Sequence, residues 1–149
     1  MIDKQGEPKV LEFNCRMGDP EAQPILMRLE SDLAEVLMST FEENPEPVIN
    51  WNPETALGVV MATKNYPYDY PKGQPILGLD DTSDESKVFH AGTKLIDNVV
   101  EAHGGRVLCV TSLGANLKEA QTKAYKETQK IKWQDCFFRR DIGSKGLKH

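Results

Sequence analysis

Two long apolar runs, residues 55–63 and 106–114, constrain the fold more than anything else in the chain. They read Thr-Ala-Leu-Gly-Val-Val-Met-Ala-Thr and Arg-Val-Leu-Cys-Val-Thr-Ser-Leu-Gly. Neither alternates polar with apolar, so each predicts a strand buried on both faces, and such a strand needs cover above and below. Helices are the natural cover. From Glu21 to Glu43, Ile25, Leu26, Leu29, Leu33, Val36, Leu37 and Phe41 recur at three- and four-residue steps. That spacing predicts one amphipathic helix, with Pro24 tolerated in its first turn, Met27 and Met38 as core filler, and Pro45 and Pro47 as its stop. Asn116, with Glu119 three residues on, predicts a second helix start, carrying Leu117, Ala120, Ala124 and Thr128 on one face.

Shorter strand signals fall at 75–79, 87–93 and 94–102. A turn is expected at Lys4-Gln5-Gly6-Glu7, an acidic loop at 80–86, and a positive-φ turn at Gly104-Gly105. The expected fold is α+β: a small mixed, mainly antiparallel sheet with two helices packed on one face. The length of 149 residues suits one domain with a real core.

Charge and cysteine usage exclude several roles. A net charge of −5 and a pI near 5.2 argue against a general nucleic-acid surface but leave room for a local basic pocket. No apolar run approaches the roughly 20 residues of a membrane span, and the first residues lack the apolar core of a signal peptide. Cys15, Cys109 and Cys136 are widely spaced and form no CxxC pair, so reduced thiols in the cytoplasm are the simplest account.

The chemistry is concentrated in residues 10–21, Val-Leu-Glu-Phe-Asn-Cys-Arg-Met-Gly-Asp-Pro-Glu. Leu11, Phe13 and Cys15 alternate with Glu12, Asn14 and Arg16, the pattern of a half-buried strand showing an acid, an amide and a guanidinium in one row. Two hard oxygen donors at that spacing suit Mg²⁺ or Mn²⁺, and Arg16 could grip a phosphate or carboxylate. The same spacing is equally that of the wet face of an edge strand, because E-x-N-x-R is a short pattern.

The full stretch resembles the E-x-N-x-R-x-G-D-P-E signature of phosphoribosylamine–glycine ligase, a member of the ATP-grasp ligases. Biotin-dependent carboxylases share E-x-N-x-R but continue with Q-V-E-H, whereas Gly18-Asp19-Pro20-Glu21 follows the glycine ligase. Met17 stands where that family usually has Phe. Further blocks keep the family's order. Tyr66-Pro67, Tyr70 and Gly73 match its G-Y-P-x-x-Y-x-x-G, with Asn65 replacing the first Gly. Phe89-His90-Ala91-Gly92-Thr93 matches F-H-A-G-T, Gly104-Gly105-Arg106-Val107-Leu108 matches G-G-R-V-L, and the end resembles R-x-D-I-G.

The resemblance implies an enzyme that joins glycine to 5-phosphoribosylamine with cleavage of ATP. It implies Glu12 and Asn14 as ligands of Mg²⁺ or Mn²⁺, and Arg16 as the catalytic, substrate-holding guanidinium. Gly18, Asp19 and Pro20 would form the substrate loop. Residues 1–20 would be the end of the ATP-binding region and 21–149 the C-terminal domain. No glycine-rich phosphate loop is present, so this stretch alone is expected to be inactive without the N-terminal ligase domains. A non-catalytic β-rich binding or structural module is the alternative, although no Met-Lys-Met tip marks a biotin or lipoyl carrier. His90 is expected to be a hydrogen-bonded structural residue, and Arg139 to pair with Asp141.

Overall fold

The two apolar runs are the paired central strands. In the computed structural model, which describes residues 3–11, 13, 15–18, 20–43 and 45–148, the chain order is α1 (Ala22–Arg28), α2 (Leu33–Ser39), β1 (Thr55–Thr63), β2 (Gln74–Pro75), β3 (Ser86–His90), β4 (Thr93–Ile96), β5 (Val99–Ala102), β6 (Arg106–Gly114), α3 (Leu117–Thr128) and β7 (Cys136–Phe138), closing on a 3-10 turn at Gly146–Lys148. β1 and β6 run antiparallel, with Val59 opposite Val110. β3 and β7 flank them in the order β3-β6-β1-β7, and a second sheet has the order β2-β5-β4. Every ladder among the described strands is antiparallel. The α+β expectation holds, with two sheets where one was anticipated.

One face of the central pair carries the core. Leu57 and Val59 pack on Ala120 and Ala124 of α3. Met61, Leu108 and Val110 pack on Ile76 and Ala102 of the smaller sheet and on Ile131 and Trp133. α3 begins as its sequence signal says: the Glu119 amide donates to Asn116 Oδ1 at 3.0 Å, while the Glu119 carboxylate accepts from the Ala115 amide at 3.1 Å. α1 lies on the other face, where Pro24 sits over Gly58; a Cβ added there would be 3.7 Å from Pro24 Cδ. The helices therefore cover both faces instead of one.

Four local expectations change. The helix expected from 21 to 43 is two helices. Leu29 bridges to Trp51, the Asn52 amide donates to the Arg28 carbonyl at 2.7 Å, and Asp32 caps a new start by accepting from the Ala34 and Glu35 amides. An apolar stripe sets which face is buried but not whether the axis is continuous, and Asp32 was the overlooked cap signal. Met38 lies on an exposed face of α2 and fills no core. The strand expected at 94–102 is a hairpin turning on Asp97 and Asn98, both at positive φ, as a primed two-residue turn requires. The strand expected at 10–16 is not formed at its described positions: Phe13 is 89 % exposed, and Cys15 and Arg16 lie in a bend. Period-two patterning names a face to bury, but pairing needs a neighbour, and no described segment supplies one. Indeed, no described residue before Leu57 is buried.

The acidic loop at 80–86 is pinned by a buried charge. Glu127 is 2 % exposed; its carboxylate accepts from Lys130 Nζ at 2.8 Å and from the Ser83 amide at 2.8 Å. Lys130 also donates to the Asp81 carbonyl at 2.9 Å. Burial pushes this carboxyl up, but the Lys130 and Ser83 hydrogen bonds outweigh it, and its pKa lies below the ordinary 4.5. A carboxyl more acidic when folded stabilises the fold above its unfolded pKa, and that contribution is lost as pH falls through the folded value. Glu127→Gln is therefore expected to lower stability near neutrality by about 2 kcal/mol and to weaken the acid-side loss. Urea melts at neutral pH and below 4.5 check this; parallel acid limbs in both proteins would clear Glu127 of the effect.

Candidate functional site

Beside α1 the exposed face of the central strands is left open as a cleft. One lobe, about 270 Å³, is lined by Pro20, Gln23, Val60, Tyr66, Ala91 and Arg106. A second lobe of about 460 Å³ shares Pro20, Val60, Tyr66 and Arg106 and extends over Gly58 and Ala62 to Phe137. Both volumes are of the order that small ligands occupy.

The rim is built where two glycine-bearing segments meet the end of β1. The Gly92 amide donates to the Arg106 carbonyl at 3.1 Å, and the His103 amide donates to the Gly92 carbonyl at 2.8 Å. Thr63 donates its amide to the Gly105 carbonyl at 2.8 Å and its hydroxyl to the Gly104 carbonyl at 3.2 Å. The backbones of Gly92 and Gly104 touch: a Cβ on Gly104 would be 2.6 Å from Gly92 Cα, and a Cβ on Gly105 would enter the Tyr66 ring. Positive φ occurs at Gly6, Gly73, Gly78 and Gly143 and not at this pair. The double glycine thus serves close approach, not the positive-φ turn expected of it.

That approach places Arg106 over Tyr66, with the guanidinium carbon 5.4 Å from the ring centroid. A contact of this kind sets the flat face of a guanidinium against the ring. Across the cleft, Gln23 Oε1 is enclosed and has no hydrogen-bond partner among the described residues. An enclosed amide oxygen without a donor is costly.

The residues singled out in the sequence take several positions. Glu12, Asn14 and Asp19 lie outside the described residues. Arg16 is exposed and donates through Nη1 to the Met17 carbonyl at 3.1 Å. Gly18 makes a reciprocal turn with Glu21: its amide donates to Glu21 Oε2 at 3.1 Å, and the Glu21 amide donates back to its carbonyl at 2.9 Å. A Cβ on Gly18 would meet the Glu21 carboxylate, the far end of a flexible side chain that would have to swing aside. Pro20 stands on the cleft rim. His90 bonds Thr93 Oγ1 at 3.1 Å. Arg139 forks onto Asp141 at 2.9 and 2.6 Å, which holds the Asp141 carboxyl below its usual range. Among the described residues, no three His, Cys, Asp or Glu side chains group as a metal site.

Sequence reasoning missed Gln23, Tyr66 and Arg106 as one site. Three separated segments bring them together, and no spacing in one dimension relates them.

Comparisons with known proteins agree with this architecture. The family model "Phosphoribosylglycinamide synthetase, C domain" matches residues 56–145. Phosphoribosylamine–glycine ligase of Allochromatium vinosum is 52% identical over 149 residues, 99% of this chain and 35% of that protein. The Escherichia coli K12 ligase is 52% identical over 151 residues, and that of Pseudomonas aeruginosa 48% over 149. The crystal structure of the Thermotoga maritima ligase superposes with a TM-score of 0.78 at 30% identity, covering 95% of this chain and 35% of that one. The chain thus spans about a third of the length of these relatives.

Proposed function

The chain belongs to the phosphoribosylglycinamide synthetase family through its C domain, and we propose that it supplies this part of an ATP-dependent ligase joining glycine to 5-phosphoribosylamine. The carrying observation is that likeness to the glycine ligases runs through nearly the whole chain, signature stretch and cleft included. ATP would phosphorylate the glycine carboxylate, releasing ADP; the sugar's amine would then attack the acyl carbon and expel phosphate. Such chemistry is mostly positioning and charge stabilisation.

Within it, Glu12 and Asn14 would hold the divalent metal, Mg²⁺ or Mn²⁺, since a carboxylate and an amide are the hard oxygen donors such ions take. The bound metal would neutralise charge on the transferring phosphoryl group. Arg16 would hold a phosphate or carboxylate, and Gly18, Asp19 and Pro20 would shape the loop at the cleft mouth. A cytoplasmic setting fits these substrates. No described helix is long and apolar enough to cross a membrane.

The remaining ligase domains would cover the apolar surface of residues 3–51. Phe13, Met38, Phe41 and Val48 are all exposed there, an arrangement that marks an interface. The chain alone is therefore expected to have no ligase turnover, and adding the other two thirds of the Allochromatium vinosum ligase to restore it. Glycine-dependent ADP release measures this. No activity on mixing, together with tight Mn²⁺ binding by the chain alone, would favour an independent metal-binding module.

A further inference from the structure

We propose that the outer face of the β2-β5-β4 sheet joins two copies of this chain in a face-to-face dimer. The ladders decide what that face carries. Glu101 lies between Pro75 on β2 and Lys94 on β4, and Val99 lies opposite Ile96. The Ile76 amide donates to the Val100 carbonyl at 2.8 Å, which carries the β2–β5 register on to Leu77 opposite Val99. Side chains alternate between faces, so Ile76, Val100 and Ala102 turn inward, onto the core. Two rows are left on the outside: Leu77, Val99 and Ile96, then Pro75, Glu101 and Lys94. Leu77 is 67 % exposed, Val99 42 % and Ile96 40 %, so the sheet is apolar on both faces and covered on one. The sheet packs on the α3 side of the central strands, whereas α1 and the cleft lie on the other side. The inference therefore stands apart from the ligase reading.

Charge complementarity selects the second copy as the occupant. Two in-plane two-fold axes keep the strands of stacked sheets aligned. With the axis along the strands, Glu101 would face Glu101 and Lys94 would fall on Pro75. With the axis along the Leu77–Val99–Ile96 row, each apolar residue faces its own counterpart. Lys94 of one copy then stands over the Asp97-Asn98 turn of the other. Lys94 and Asp97 are both exposed, and Glu101 is already matched by His103 of its own copy at 3.0 Å. The second arrangement thus closes an apolar row with two Lys94–Asp97 pairs, one at each end. Two short rows make a small interface, so the dimer is weak, with a Kd in the micromolar range.

The test is sedimentation of the full chain over a concentration series. The mass is expected to rise from 16.7 kDa to twice that and stop, because an isologous contact closes at two copies. Val99→Lys and Leu77→Lys, both at exposed positions, should weaken the dimer about tenfold or more. Lys94→Glu should weaken it severalfold, and so should Asp97→Asn, which keeps a residue tolerant of positive φ. In the Lys94→Glu background, however, Asp97→Asn should strengthen the dimer, since it removes a repulsion. That reversal of sign reports the pair itself and would not follow from a folding defect. Phe41→Ser, on the apolar surface before β1, should leave the dimer unchanged. A chain that stays at 16.7 kDa up to millimolar concentration would overturn the assignment. So would growth beyond the dimer, or association lost in Phe41→Ser and kept in Val99→Lys. A monomeric chain whose Ile96 and Val99 amides shift only on adding the rest of the Allochromatium vinosum ligase would overturn it too, and give the face to that protein.

Discussion

Gly92→Ala is expected to destabilise the chain by about 3 kcal/mol or more, the range of an overpacked site whose neighbours cannot move aside. The added Cβ would lie 2.5 Å from Gly104 Cα and 2.7 Å from the Arg106 carbonyl oxygen. Both neighbours are backbone, and the bonds that tie them also tie β6 to the loop before it, so relief means breaking the rim. A thermal midpoint lower by roughly 10 °C is the readout for a chain of this length. Gly6→Ala is the control: its φ is +87° and nothing lies within 4 Å, so only local backbone strain of about 1 kcal/mol is expected. A Gly92→Ala midpoint as mild as the control would show that the two backbones can separate freely.

Glu12→Ala, made in the reassembled ligase, is expected to cut turnover about a hundredfold and to raise the Mn²⁺ or Mg²⁺ concentration needed for half-maximal rate. The expectation stands on the chemistry of the donor pair and on the signature stretch, since Glu12 lies outside the described residues. A carboxylate supplies both a ligand oxygen and a negative charge, whereas Asn14 supplies only a neutral oxygen. Glu12→Gln should therefore keep a ligand and still lose affinity for a hard cation. Turnover measured across a metal titration separates the two variants. Unchanged turnover and metal dependence in Glu12→Ala would remove the role given to Glu12.

What could be foreseen follows from how local each signal is. The β1–β6 pair was legible because a continuous apolar run between turn residues has few other uses, and the α3 start because Asn116 and Glu119 satisfy orphan amides within one turn of chain. The break between α1 and α2 was not, although Asp32 is a cap of the same kind. There the deciding bonds come from Trp51 and Asn52, more than twenty residues away. The site divides the same way. Gly18 and Pro20 could be proposed from a contiguous stretch, while Gln23, Tyr66 and Arg106 meet only through the sheet register and the Gly92–Gly104 contact. A double glycine looks the same in sequence whether it serves a turn or makes room for an arginine beside a tyrosine ring.

That no described residue before Leu57 is buried divides the chain into two tiers of persistence. Amides of β1 and β6 around Val59 and Val110, bonded in a ladder with both residues fully buried, open only with the whole fold and will exchange hydrogen with solvent last. Those of α1 and α2 can open on their own, because little apolar contact holds them closed. Proteolytic nicking tracks such local opening, so cleavage would begin in the first fifty residues and stop near β1. The survival time of the signature stretch is then set by local opening of these first segments, and not by the strength of the core behind it.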